Sequence, residues 1–258
     1  MAPPEQAEEK LAEGTLISHL LELRTRLVRI LIAVAIVFTP CAVFSNRLYT
    51  ALATPLLDQL PKGSSMISTS VTAPFSAPVK LALFVALFSS APYVLHQIWG
   101  FVAPGLYRHE KRLAVPLVIS SVALFYAGVA FAYLVVFPGL FQFLVATTPQ
   151  GVRLMADMNE YLSFTLTMFL SFGIAFEVPI VVIMLILTGV VSPEKLKESR
   201  GYAVVGIAVI AAVLTPTQDA VSLAAMAVPM WLLYEAGIVA GRVLLKMRLE
   251  QQARNRGE

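Results

Sequence analysis

Charge is what this chain has least of. Asp, Glu, Lys and Arg make up 14% of its 258 residues and hydrophobic residues 58%, where an average soluble domain has about 25% and about 45 to 50%. That balance excludes an ordinary soluble domain, because several uncharged windows exceed the ~20 residues a helix needs to cross a bilayer. Cysteine is nearly absent too: Cys41 stands alone inside an apolar run, so there is neither a disulfide framework nor a cysteine pair for a metal. It reads as a small buried hydrophobe. His19, His96 and His109 are far apart, and no GxxxxGK[ST], HExxH or GxSxG stretch occurs. With no nucleophile to pair with a histidine, we expect no catalytic residue, no metal, no cofactor and no enzyme activity. The net charge of +3 would hint at nucleic acid in a soluble protein, but here the basic residues flank apolar runs. We expect a lipid bilayer as the partner and no nucleic acid.

The apolar runs set the architecture as all-α and polytopic, with residues 1–258 forming a single membrane domain. Residues 1–15 read as a mobile cytoplasmic tail, too acidic and proline-bearing for a cleaved signal. From Ser18, a possible cap, a helix carries Leu20, Leu23, Leu27 and Ile30 or Leu31 on one stripe into the first span, Ile30 to Phe44, which stays as a signal anchor. Leu48, Leu52 and Leu56 predict a short amphipathic helix before Pro61, followed by an extended arm. Further spans are expected over Val79–Gln97, Leu113–Phe137 (ended by Pro138 and Gly139), Tyr161–Thr188, Tyr202–Leu214 and Ala220–Ala240. Ser192 and Pro193 look like a helix start. The fifth run, about 13 residues, is short for a full crossing; the bilayer beside it should thin. Of the 19 basic residues, 15 lie before the first span, in the second and fourth connections, or in the tail 242–258. The positive-inside rule then puts both termini in the cytoplasm, and six spans fit that parity.

One acid breaks the pattern. Glu177 is the only charged residue between Tyr161 and Val191, and an ionised side chain at such a depth costs at least about 2.5 to 3.5 kcal/mol. A neutral, protonated carboxyl is the cheaper state. Pro179, two residues on, leaves the carbonyl of Ala175 without its usual partner. Either Glu177 is bonded to a neighbouring helix, or it faces a wet inward pocket. Two further carboxylates lie on the cytoplasmic side: Glu22 in HLLELRTRL, which can pair with Arg26 at i,i+4 for about 0.2 to 0.5 kcal/mol, and Glu110 among Arg108, Lys111 and Arg112, where a solvated loop acid is the simple reading. Trp99, Phe101 and Tyr107 fit an interfacial aromatic belt.

Taken in order, HLLELRTRL at 19–27, QIWGFVAPGLYRHEKR at 97–112, AGVAFAYLVVFP at 127–138, FGIAFEVP at 172–179 and LTP at 214–216 resemble the motifs of the TatC family, the twin-arginine translocase subunit. The likeness runs from about Leu16 to Gly241. It implies a receptor and core subunit in the bacterial cytoplasmic (inner) membrane. Such a receptor binds twin-arginine signal peptides of folded precursors and nucleates the translocation site, driven by the protonmotive force. By the same resemblance Glu22 and Glu110 bind the paired guanidinium groups, a geometry that carboxylates suit and lysine cannot reproduce. Arg24, Gln97 and Phe101 shape that patch, Glu177 lines a water-accessible concave face, and Pro55 sits in an outer cap. The implied partners are the single-span subunits TatA and TatB, with self-association in a larger complex. The chain departs from the family pattern at Pro216–Thr217–Gln218–Asp219, where the partners dock. The rival is a proton-coupled small-solute transporter using Glu177 as its coupling carboxylate; against it, the halves show no repeat with paired broken helices.

Overall fold

A computed structural model of the chain describes residues 4–57, 67–102, 114–140, 143, 157–214 and 220–256. Nine α-helices make up almost all of the described residues: α1 Pro4–Val43, α2 Ser45–Leu57, α3 Ala73–Val102, α4 Ala114–Phe131, α5 Met158–Ala175, α6 Val178–Leu187, α7 Pro193–Glu198, α8 Arg200–Leu214 and α9 Ala220–Arg256. Among the described residues the one β pairing is an isolated bridge between Ile67 and Asp157. Helix is the expected answer for apolar runs of this length, because lipid offers backbone groups no partner and an α-helix satisfies its own. Among the described residues five stretches are long and apolar enough to cross a membrane: Ile17–Val43, Ala73–Val102, Val115–Leu140, Met158–Leu187 and Ala220–Glu250; Arg200–Leu214 is a shorter apolar helix of 15 residues. At 1.5 Å per residue α8 is about 22 Å long, below the ~30 Å of a hydrocarbon core.

The chain divides into two compact units, residues 1–54 with 78–118, and residues 55–77 with 119–258. In the first, Leu20, Leu23, Leu27 and Leu31 do share a stripe, and all four are exposed. Their stripe suits lipid, and Arg26 of α1 turns to Gln97 of α3 instead. Ser18 is not a cap: helical backbone begins at Pro4 and passes straight through it.

In the second unit α9 lies along α6, α7 and α8, and α5 packs on α8 and on the end of the α4 span. Close approach of α9 to α6 is set by Gly237 and Gly241. A Cβ on Gly237 would sit 2.9 Å from Pro179 Cα, and one on Gly241 would sit 2.5 Å from Ile186 Cδ1. Aromatic contacts fill the other side: Phe137 meets Phe169 at 5.4 Å and Phe164 at 6.0 Å between ring centres, and Phe131 meets Phe176 at 5.5 Å.

Three predicted boundaries differ. Pro138 and Gly139 do not end the third apolar helix, which continues to Leu140. The five residues Ala132–Val136 are wound as a π-turn, in which the Phe137 N–H bonds to the Ala132 carbonyl five residues back. That change of register admits the proline, whose missing N–H would otherwise interrupt the ladder. The second span starts earlier than Val79, at Ala73, launched by Ser76 N–H donating to Thr72 O at 2.9 Å. The expected continuous fourth span is two helices, α5 and α6, joined at Phe176 and Glu177. Elsewhere the local chemistry is as read. Ser192 Oγ accepts from Lys195 N–H at 3.2 Å, with Pro193 opening α7. α6 ends where Gly189 adopts φ +73°, the left-handed conformation glycine tolerates.

Candidate functional site

Within the first unit, α1 and α3 bring together residues 71 positions apart. Glu22 and Arg26 are one turn apart on α1. Arg26 Nε and Nη2 donate to Glu22 Oε1 at 2.9 and 2.6 Å. The guanidinium does not stop there. Its Nη1 donates to Gln97 on α3, at 3.2 Å to Oε1 and 3.4 Å to the backbone carbonyl. Gln97 is buried and the pair is half-buried, at 22% side-chain exposure for Arg26 and 36% for Glu22. Three residues on along α3, just under one turn, Gly100 leaves the room the guanidinium occupies. A Cβ there would stand 2.5 Å from Nη1 and 3.2 Å from Cζ. Beside this cradle His19 stacks on Phe101, ring centres 4.2 Å apart and planes 17° from parallel.

Glu22, Gln97 and Phe101 are therefore assembled as a patch, together with His19, Arg26 and Gly100, which were not singled out for it. Arg24 is not brought in. Two residues from Glu22, a rotation of about 200°, it stands exposed on another face of α1. Glu110 lies outside the described residues. Pro55 falls in the last turn of α2.

The second unit holds Glu177. It is the residue that joins α5 to α6, and Pro179 sits within the first two positions of α6, where its missing N–H costs least. The Glu177 N–H turns back to Ile174 O at 3.0 Å, closing α5 with a tighter three-residue step. Ser121, fully buried on α4, donates from Oγ to Glu177 Oε2 at 2.6 Å. Oε1 is buried and accepts from no described residue. Gly128, two turns along α4 from Ser121 and on the same face, is what lets the helices close: a Cβ on it would stand 2.4 Å from Phe172 O. Both readings of Glu177 thus meet in one side chain, one oxygen bonded to a neighbouring helix and the other left unpartnered in a buried position.

A third acid acts on loop geometry. Asp157 Oδ2 accepts from Thr69 Oγ1 at 2.7 Å and Thr69 N–H at 2.9 Å, while Oδ1 accepts from Asn159 N–H at 2.9 Å and Glu160 N–H at 3.0 Å. It caps α5 and ties the segment after Ile67 to it. The Thr69 hydroxyl, then the Thr69 and Glu160 amides, hold its carboxyl well below the usual carboxylate range. Asp157-x-x-Glu160 is a capping-box spacing, a signal in the sequence that was not used.

With the geometry in place, comparison with known proteins gives one family. The family description "TatC: Sec-independent protein translocase protein (TatC)" matches residues 18–229. The chain belongs to the TatC family. It is 51% identical over 226 residues to the Sec-independent protein translocase protein TatC of Azotobacter chroococcum mcd 1, with 88% of each chain covered. To that of Escherichia coli (strain K12) it is 48% identical over 227 residues, again with 88% of each covered. The crystal structure of a twin arginine translocase receptor, TatC, matches with a TM-score of 0.75 at 37% identity, covering 87% of this chain and 98% of that one. The same receptor in DDM matches with a TM-score of 0.77, covering 86% and 99%. As a TatC family member the chain is a membrane-embedded component of the Sec-independent, twin-arginine pathway of protein transport, and not an enzyme.

Proposed function

We propose that this chain is the receptor subunit of its translocase. It binds the twin-arginine signal peptides of folded precursors at the cytoplasmic face through Glu22 and Glu110, and nucleates assembly with TatA and TatB under the protonmotive force. In this reading the chain forms one membrane domain of six spans in the bacterial cytoplasmic membrane, with both termini inside and further copies in the complex. α8 is the fifth, short crossing, and Pro55 belongs to the outer cap. Gln97 and Phe101 form the floor and wall of the peptide patch, and Glu177 lines a face that water reaches.

The observation that carries the reading is the chemistry of Glu22. Its carboxylate accepts two guanidinium N–H bonds within a half-buried cradle, the contact that a signal-peptide arginine requires. The patch also includes an aromatic face at Phe101, suited to an apolar or guanidinium neighbour. Family membership favours a translocase role over the solute transporter.

The test is binding of a labelled twin-arginine signal peptide to the full chain in lipid nanodiscs. Glu22→Ala and Glu110→Ala should each abolish binding while the protein inserts normally. Normal binding by both variants would reject these roles.

A further inference from the structure

The carboxylate assigned to the signal peptide already holds a guanidinium, and that guanidinium belongs to the chain itself. Resting on the reading of Glu22 as the signal-peptide clamp, we propose that Arg26 is an internal competitor for it. Arg26 fills the cradle of Glu22, Gln97 and Gly100 until an incoming arginine displaces it.

Three independent features build this cradle around a guanidinium. Glu22 Oε1 takes two of the N–H groups. The buried side chain and backbone carbonyl of Gln97 take a third direction. Gly100 supplies the space, since any side chain there would collide with Nη1 at 2.5 Å. An arginine from outside would meet the same acceptors in the same fork geometry. Glu22 and Arg26 are an i,i+4 pair, a weak kind of contact, so the latch can be opened by a ligand that brings two guanidinium groups. Until then the Glu22 charge is neutralised and the pocket filled.

The consequence is a threshold. Evicting Arg26 costs every ligand the same, so occupation lowers the apparent affinity of each by one factor. A twin-arginine ligand restores the paired bonds that Arg26 gives up and clears that threshold, whereas a single ammonium cannot replace them. Arg26 sets the threshold in this account, and Gly100 is what allows it to sit there.

The experiment compares a twin-arginine signal peptide with its twin-lysine counterpart on the full chain in nanodiscs. The proteins are wild type, Arg26→Gln, Gly100→Ala and Glu22→Ala. Arg26→Gln should bind the twin-arginine peptide about three- to tenfold more tightly, the reciprocal of a clamp free between about a third and a tenth of the time. The twin-lysine peptide should gain by the same factor, because displacing Arg26 costs both ligands equally. Gly100→Ala, which pushes the guanidinium out without removing its charge, should move both affinities in the same direction; it decides the matter if Arg26→Gln does not insert. Weaker or unchanged twin-arginine binding in the variant that decides, or a gain confined to one peptide, overturns the competitor while leaving Glu22 as the clamp. Unchanged binding in Glu22→Ala overturns the clamp itself, and the competitor with it.

Discussion

Glu22 on α1 and Glu177 at the α5–α6 junction are both acids in an apolar chain, but their surroundings answer them differently. Glu22 is half-buried and met by a full positive charge, with two bonds to one guanidinium. Glu177 lies within the Met158–Leu187 span and is met by a neutral hydroxyl, one bond from Ser121 at 2.6 Å. A part-exposed charge pair one turn apart on a helix is screened and easily exchanged, which suits the proposed exchange of one arginine for another. A single hydroxyl bond to an acid inside a span leaves one oxygen unpartnered. That arrangement suits a site that is fixed in place and reached by something polar. The first acid is built for exchange with a ligand, and the second for holding a position.

The largest effect should come from reversing the first of these. Glu22→Arg puts two like charges beside Gln97, and signal-peptide binding should fall by at least about a hundredfold, the lower range for a lost buried charge contact. A peptide-binding titration in nanodiscs checks it; a loss under tenfold would move the clamp elsewhere.

Next comes the fit that brings the second acid its partner. Gly128→Val drives a side chain into Phe172 O and should cost about 1 to 3 kcal/mol of stability, the usual range for overpacking. Thermal unfolding in detergent should show it, together with loss of the contact between Ser121 and Glu177. Ser121→Ala then separates the bond from the packing. It strips the one partner of Glu177 Oε2 without adding bulk, and should destabilise by about 1 to 2 kcal/mol, less if water enters in its place. Glu177→Gln, which keeps an acceptor oxygen for Ser121, should be milder than Glu177→Ala. Equal losses in the two would remove the hydrogen bond from the account.

The smallest effect is expected at Asp157, a half-buried acid whose bonds hold its carboxyl below the usual range. A group with a depressed folded value stabilises fully above its unfolded value of about 3.9 and loses that contribution as pH falls through the folded one. The gap in unfolding temperature between wild type and Asp157→Asn should thus be constant from about pH 7 down to about pH 5, and close below about pH 4. A gap that widens on acidification would contradict the clamp on Thr69.

Much of the fold could be read from residue order because lipid imposes a simple rule: a long uncharged run must be a helix. The α7 start at Ser192–Pro193 and the break beside Pro179 follow from local chemistry that acts within one turn. What was misread depends on structure beyond that turn. Pro138 ends nothing, because a π-turn before it resets the hydrogen-bond register. Ser18 caps nothing, because helical backbone precedes it. At the site, Glu22, Gln97 and Phe101 were reached by resemblance to a family. The i,i+4 pairing of Glu22 with Arg26 was visible in the sequence, but the reach of Arg26 across to Gln97 joins two helices and has no local signature. The same holds for Ser121, whose hydroxyl is one of many until α4 packs against the α5–α6 junction. Asp157 is different, since its capping-box spacing stood in the sequence and only its grip on Thr69 is tertiary.

The central claim is that the charge of Glu22 receives the signal arginine, and Glu22→Gln tests it most directly, because the amide keeps the size and shape of the side chain. Affinity for a twin-arginine signal peptide should be measured for wild type and this variant in nanodiscs across a salt series. The account predicts a loss of at least about tenfold at low salt, the scale of one charge-assisted hydrogen bond, and a flatter salt dependence. Affinity within about twofold of wild type at every salt concentration would contradict it.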